Sequence, residues 1–370
     1  MVVGIVGAGQ LGRMMALAGY PLGLEFLFLD KDRRTPGGQV APILEGELTD
    51  RKLLGQLSTR CEVMTFDWEN IPVDALEDLP GTARIAPPLR ALAAAQDRLS
   101  EKRTFELLGI PTTRYASVDS RAALEAAVKS IGLPGVLKTR RMGYDGKGQF
   151  VLRKPADLDA AWAALGSTPL LYENLVPFDR EVSIIAVRGM DGDIAFYPLN
   201  LNVHREGILR LTRAPYGNAA LARQAQRAAR RLLEHFKYVG VLTIEFFVAG
   251  GKLVANEMAP RVHNSGHWTI EGADTSQFEN HLRAITGMPL GSTRARGHSA
   301  MINLIGELPP RDALLAEPGL HWHDYGKSAR PGRKLGHLTV VETTTRARDR
   351  RGLQVLGRVD RATWLALRRG

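Results

Sequence analysis

The sequence predicts an α/β protein in three parts: a parallel sheet wrapped in helices, a larger mixed middle region with glycine-rich loops, and a small mixed α/β segment at the C-terminus. Three observations support that class. Up to about residue 95, short apolar runs (VVGIV, LEFLFLD, EVMTF) alternate with helical stretches, as in strand–helix–strand units. Beyond that point, longer apolar strands such as EVSIIAV and GVLTIEFFV stand between glycine loops. With 370 residues, 44% hydrophobic and 24% charged, the chain can bury the cores of two or three domains.

The first strand is Val2, Val3, Ile5 and Val6; Gly7, Gly9 and Gly12 set the spacing G-x-G-x-x-G, and Met14, Met15 and Leu17 begin a helical apolar face. Glycines there let the backbone bend sharply and approach an anion, which the free amides and the positive end of the helix attract. Two readings follow. One is a dinucleotide site of a dehydrogenase, with Asp30, at the end of LEFLFLD, on a ribose hydroxyl. The other is a plain strand-to-helix turn.

A helix over DRLSEKRTFELLG ends at the turn Gly109 to Pro111. LPGVLKTRRMGYDGKGQFVL then places Lys138 at a strand end, followed by a loop with Gly143, Gly146, Lys147 and Gly148. Such a loop reads as a flap over a polyphosphate, with amides around the oxygens and Lys138 as a point charge, or as a long plain hairpin. In LYENLVPFDREVS a strand emerges at Glu173, passes Val176 and Pro177, and continues to Glu181. A hinge of this kind can bind an adenine through backbone groups, with Glu181 accepting from ribose hydroxyls; taken alone, both glutamates read as surface charges.

GVLTIEFFVAGGKLVANEMAP reads as two strands joined by a glycine turn, each with a carboxylate among hydrophobic neighbours. If the loop is odd and centred on Gly251, Glu245 and Glu257 sit opposite each other on one face; an even loop separates them. Facing carboxylates repel unless a cation lies between them, and magnesium suits because it takes few carboxylates and bridges to phosphates. RVHNSGHWT next crowds Arg261, His263, Asn264 and His267 into one turn. With no cysteine nearby and the carboxylate pair just upstream, Asn264 reads as an added oxygen ligand and Arg261 as an anion clamp, in preference to a zinc site. From about Thr293 onward, AMINLIG and HLTVVETTT are short strands between basic turns, expected to form a small domain packed onto the others.

The net charge of +10 by itself would suit nucleic acid, a membrane surface or small anions. The arginines are scattered, however, and in ARQAQRAARRLLEHF they fill the polar side of an amphipathic helix, which argues against nucleic acid. No apolar run reaches the length of a membrane span and the N-terminus lacks the parts of a signal peptide, so a cytoplasmic protein is expected. The single cysteine, Cys61, reads as a buried apolar filler.

The order GAGQLGRM, FDWENI, DRLSEK, RRMGYDGKG, YENLVPFDREVS, IEFF, NEMAPRVHNSGHWT and YGKSARPGRKLGH resembles the 5-(carboxyamino)imidazole ribonucleotide synthases, ATP-grasp enzymes of purine biosynthesis, over nearly the whole chain. The resemblance implies a Rossmann-like preATP-grasp domain over 1–95, an ATP-grasp domain over 96–292 and a C-terminal domain over 293–370. It implies ATP contacts from Arg98, Lys138, Gly143, Tyr144, Asp145, Gly146, Lys147, Gly148, Gln149, Glu173, Asn174, Leu175, Val176, Glu181, His204, Asn256 and Glu257. Glu245 and Glu257 would hold magnesium, with manganese as the alternative ion. Gly9, Gln10, Leu11, Glu69, Tyr144, Lys147, Asn264, Lys327, Arg333 and Lys334 would meet the aminoimidazole ribonucleotide, the glycine turn holding its phosphate in place of a nicotinamide cofactor. Arg261, Lys138, Tyr144 and Lys147 would act in catalysis, with bicarbonate as co-substrate, in a homodimer. Asp67 stands where the family more often has Glu, and Ala8 replaces a glycine; neither carries an assigned role. A related ligase with another amine acceptor is the alternative within the fold.

Overall fold

The structure, a computed structural model, describes residues 1–143 and 146–369. Among them the first strands are β1 (Val2–Val6), β2 (Glu25–Asp30), β3 (Ile43–Glu45), β4 (Val63–Phe66) and β5 (Arg84–Ile85), paired in parallel in the order β3-β2-β1-β4-β5. Their apolar runs are continuous because both faces are covered. Val3, Ile5 and Phe28 pack with Met14 and Met15 of the helix Gln10–Gly19, whereas Val6, Leu27 and Leu29 pack with Leu54 and Leu57 of the helix Arg51–Arg60. Strand order reverses around β1, so the crevice at the carboxyl ends of β1 and β4 is the place where such a sheet binds a ligand. The glycine turn follows β1 and the stretch Asp67 to Glu69 follows β4.

The strands β6 (Tyr115–Val118), β7 (Gly135–Thr139), β8 (Gln149–Leu152) and β9 (Leu170–Asn174) form a separate antiparallel sheet in the order β6-β9-β7-β8. Leu124, Ala127 and Ala161, from the helices Arg121–Ile131 and Leu158–Leu165, cover it.

The largest sheet is built from β10 (Arg180–Arg188), β11 (Ile194–Phe196), β12 (Asn200–Arg205), β13 (Ile208–Ala214), β14 (Gly240–Ala249), β15 (Lys252–Ala259), β16 (His298–Ile305), β17 (Leu320–Asp324) and β18 (Lys334–Glu342). Its order is β15-β14-β10-β12-β13-β16-β18-β17, with β11 paired to β10. Because β16 pairs with β13, the C-terminal strands extend this sheet through main-chain bonds instead of packing on it as a separate layer. The helix Ala219–His235 lies across it with Leu221, Ala225, Ala229, Leu232 and Leu233 inward, while Arg223, Arg227 and Arg230 are exposed. Those arginines are the solvated face that the periodicity predicts. Cys61 is buried, as expected. No helix among the described residues is long and apolar enough to cross a membrane.

Candidate active site

The hairpin β14–β15 brings Glu245 and Glu257 together by a route the sequence did not suggest. Its loop is the even one: Ala249 pairs with Lys252 around Gly250 and Gly251, which adopt φ of 55° and 73°, as a tight two-residue turn requires. That register alone would put Glu245 opposite Asn256 and turn Glu257 to the core face of Ile244 and Phe246. A β-bulge intervenes. Phe246 pairs with Ala255 but Glu245 pairs with Glu257, so Asn256 is the extra residue and the two carboxylates share a face. The expectation of facing glutamates is correct; the odd loop offered as its reason is not.

Burial pushes the Glu245 carboxyl up to about 7, opposed by the His204 charge and reinforced by Glu257 and Glu181. Glu257 Oε2 meets Arg98 Nη1 at 3.3 Å. Two crowded carboxylates, one held toward its neutral form, are a donor set that a hard divalent ion fits. Across the sheet, His204 Nδ1 lies 2.6 Å from Glu181 Oε2. Burial pulls this imidazole down, but the bond to Glu181 and the Glu245 charge outweigh it and raise the group to about 9.

Lys138, on β7, meets Glu173 of β9 at 3.3 Å. Burial pushes the Glu173 carboxyl up, yet Lys138 and Lys102 on its two oxygens prevail and hold it down at about 2. Glu173 therefore spends its side chain on the lysines. In the hinge that follows, the Asn174 and Leu175 amides already donate to Arg114 O and Pro134 O. Arg98 Nη2 reaches Gly143 O at 3.5 Å, and Gly146 rests against the backbone of Glu206 and Gly207, 2.9 Å from Glu206 O for an added Cβ. The glycine loop thus lies over the β12–β13 turn near His204. Gln149 and Lys147 are exposed. Tyr144 and Asp145, both predicted contacts, lie outside the described residues.

Arg261 and Glu69 form a two-pronged ion pair, Nε to Oε2 at 2.5 Å and Nη2 to Oε1 at 2.8 Å. Burial raises the Glu69 carboxyl, but Arg261 outweighs it and holds the group below its ordinary range. The predicted anion clamp and the predicted substrate carboxylate thus orient each other. Asn264 exchanges amide bonds with Asn303, 3.0 Å and 2.7 Å, so its oxygen already accepts one bond and has one lone pair beyond it. Burial, then the Arg261 and Lys334 charges, keep His263 well below the usual imidazole range, hence neutral.

The G-x-G-x-x-G turn is built around the protein's own acids. Asp67 accepts from the Gly9 and Gly12 amides at 3.0 Å and 2.6 Å, and Asp30 accepts from the Ala8 amide at 2.6 Å. A Cβ on Gly9 would collide with Asp67 Oδ2, and one on Gly12 would stand 2.8 Å from Phe28 Cε1. These are the amides and glycines a dinucleotide pyrophosphate would use, so the dinucleotide reading falls, and Asp30 binds the backbone instead of a ribose. Asp67, to which the sequence reading assigned no role, thus holds this turn, and the Gly9 amide donates to it. The turn still meets the C-terminal cations: Lys327 Nζ donates to Gln10 Oε1. Burial lowers the Lys327 ammonium to about 8, with Arg333, Lys334 and Arg330 adding to the effect and Asp67 opposing it. Three further cations thus lie near the lysine that reaches Gln10. Arg333 itself bonds Ser328 O and Oγ at 3.0 Å and 2.8 Å.

Glu101, Lys102 and Asp67 escaped the sequence reading. A signal for the first two existed: Arg98, Glu101, Lys102 and Phe105 fall on one helical stripe, and charges that share a stripe with a core phenylalanine are buried for a reason.

A lysine and a glycine hairpin on a small antiparallel sheet, set against a carboxylate pair on a larger one, define the class of ATP-grasp proteins. The ATP-grasp domain model matches residues 103–278, preceded by a ribonucleotide synthetase preATP-grasp domain over 1–96 and followed by a phosphoribosylaminoimidazole carboxylase C-terminal domain over 299–351. The chain belongs to the N5-carboxyaminoimidazole ribonucleotide synthase family. A Pseudomonas aeruginosa protein of that name is 49% identical over 354 residues, 96% of this chain and 97% of that one. The crystal structure of the Thermus thermophilus synthetase is 51% identical, with a TM-score of 0.92 over 96% of this chain and 98% of that one. An Aspergillus clavatus synthase solved with ADP and 5-aminoimidazole ribonucleotide is 31% identical, with a TM-score of 0.91 over 97% and 98% of the two chains.

Proposed function

We propose that the protein carboxylates the exocyclic amine of 5-aminoimidazole ribonucleotide, using ATP and bicarbonate, as a C–N ligase of purine biosynthesis. The observation that carries the reading is the meeting of the two chain ends: Lys327, with Arg333 and Lys334 near it, reaches Gln10 of the N-terminal turn, and together they would border one anion site. That suits a ribonucleotide phosphate, and the Aspergillus relative was solved with that ribonucleotide.

In the first step a bicarbonate oxygen attacks the γ-phosphorus of ATP and the β–γ bridging bond breaks, giving carboxyphosphate and ADP. In the second the amine nitrogen forms a bond to the carboxyl carbon, phosphate leaves, and the amine loses a proton. Arg98 and Lys138 neutralise charge on the phosphate oxygens, since phosphoryl transfer depends mainly on positioning and electrostatics. Glu181 and His204 face the ribose, and the backbone at Val176 faces the adenine. Glu245 and Glu257 would hold a magnesium ion, which would supply further charge neutralisation. Arg261 holds carboxyphosphate, or the carbon dioxide and phosphate formed from it, while Glu69 accepts from the amine. Gln10 and Leu11 amides and Lys327 take the ribonucleotide phosphate. Division of the chain at residues 95 and 292, a homodimer and a cytoplasmic location belong to the same reading.

ADP release is measured with each candidate amine acceptor, with and without bicarbonate. Release that requires both 5-aminoimidazole ribonucleotide and bicarbonate is expected. Equal release with glycinamide ribonucleotide, or with formate in place of bicarbonate, would reassign the acceptor or the acid.

A further inference from the structure

The helix Arg98–Leu107 carries two ionisable side chains that this chemistry leaves unassigned, a lysine and a carboxyl that burial pushes up to about 8. Glu101 and Lys102 are 2% and 0% exposed, as deep as Phe105. Burying charges is costly unless each finds close partners. Theirs are main-chain groups of β15 around the bulge. Glu101 Oε1 accepts from the Met258 N–H at 2.6 Å. Lys102 Nζ donates to Asn256 O at 2.9 Å, to Ala255 O at 3.3 Å and to Thr112 Oγ1 at 3.0 Å, and that hydroxyl donates to Ala255 O at 2.8 Å.

The strand β15 is the edge of its sheet; on the side away from β14 a single bridge to Thr112, with the Ala255 N–H donating to Pro111 O at 2.7 Å, is its only main-chain pairing among the described residues, and Glu101 and Lys102 meet the groups on either side of it. The contacts also bracket the extra residue: the lysine holds the carbonyls of Ala255 and Asn256, and the glutamate holds the amide two residues after Asn256. A plain edge would have no need of such a clamp, since regular strands keep their register by pairing alone. Here the hairpin turn favours the register that sends Glu257 into the core, and the bulge must be held against it.

We propose that Glu101 and Lys102 are positioning residues that hold the bulge at Asn256 and so keep Glu257 on the face of Glu245, where the pair captures its divalent ion. This rests on the reading of that pair as the cation site. Lys102 also touches Glu173 Oε2 at 3.5 Å, which ties the clamp to the carboxylate that orients Lys138.

The test titrates Mn2+ into the enzyme with saturating ADP, followed by electron paramagnetic resonance of free Mn2+, alongside the melting temperature of each variant. Glu257→Gln should weaken Mn2+ binding, and Glu101→Ala and Lys102→Met should weaken it by about tenfold or more, the effect of losing a partner that orients a metal ligand. Glu101→Gln keeps a carbonyl for the Met258 amide and should bind Mn2+ as the wild type does. Wild-type affinity in Glu101→Ala and Lys102→Met, beside a weakened Glu257→Gln, overturns the positioning role alone, even where their melting temperatures fall. Wild-type affinity in Glu257→Gln overturns the cation site and the proposal with it. Should Lys102→Met not accumulate as folded protein, Glu101→Ala against Glu101→Gln decides by the same criterion.

Discussion

Replacing Glu245 with Gln should stabilise the metal-free enzyme while impairing it. The carboxyl is raised from its ordinary 4.5 to about 7, first by burial and then by the facing Glu257 and the nearby Glu181, with His204 opposing. A carboxyl raised by folding favours the fold fully below its unfolded value and loses that contribution as pH rises through the folded one, here between 4.5 and about 7. At ~1.4 kcal/mol per tenfold of proton affinity, the ionised group costs the fold about 3 kcal/mol at pH 8 and under about 1 kcal/mol at pH 5. Gln keeps the volume and cannot ionise. With an unfolding entropy of ~2 cal/mol/K per residue, the gain is about 4 °C in midpoint at pH 8 and about 1 °C at pH 5. Calorimetry in chelator at both pH values reads it directly, and a third scan with excess magnesium and ATP should reverse the order, since the wild type alone keeps both charges for the ion. A variant midpoint at or below the wild type at pH 8, or an equal gain at both pH values, would refute the argument that the fold holds this carboxyl away from its ionised form.

Lys327→Ala should raise KM for 5-aminoimidazole ribonucleotide by about tenfold or more with KM for ATP little changed, because a charge-assisted contact to phosphate is lost at one site only; steady-state assays varying each substrate check it, and parallel changes would place the cation elsewhere. Glu173→Gln leaves Lys102 and Lys138 buried without their shared carboxylate, and should lower stability by about 3–5 kcal/mol in urea unfolding. A loss below about 1 kcal/mol would mean the lysines are solvated in the folded protein.

What could be read without coordinates depended on how locally each feature is determined. The turn after β1, the helix Gln10–Gly19 and the polar face of Ala219–His235 follow from spacing over a few residues, and the structure has them. The facing glutamates came out right for a wrong reason, because loop parity is local but a bulge at Asn256 answers to contacts from a helix some 150 residues earlier in the chain. Asp67 looked expendable because its partners, the Gly9 and Gly12 amides, are more than 50 residues away. The same holds for the join between β13 and β16, where a segment that reads as a small unit of its own supplies strands to its neighbour's sheet.

A carboxylate seated in a turn of that shape behaves like a permanently bound inhibitor: it satisfies the cradle from within and cannot be washed out. A cofactor-binding loop can therefore be retired by one side chain just past the end of the adjacent strand while its backbone stays intact, and the freed mouth of the crevice can be assigned to a different anion. The glycine signature then records the shape of the cradle and leaves its occupant open. For design, this suggests that closing an unwanted nucleotide site calls for an acid placed as Asp67 is, two amides from one carboxylate, with no need to rebuild the loop.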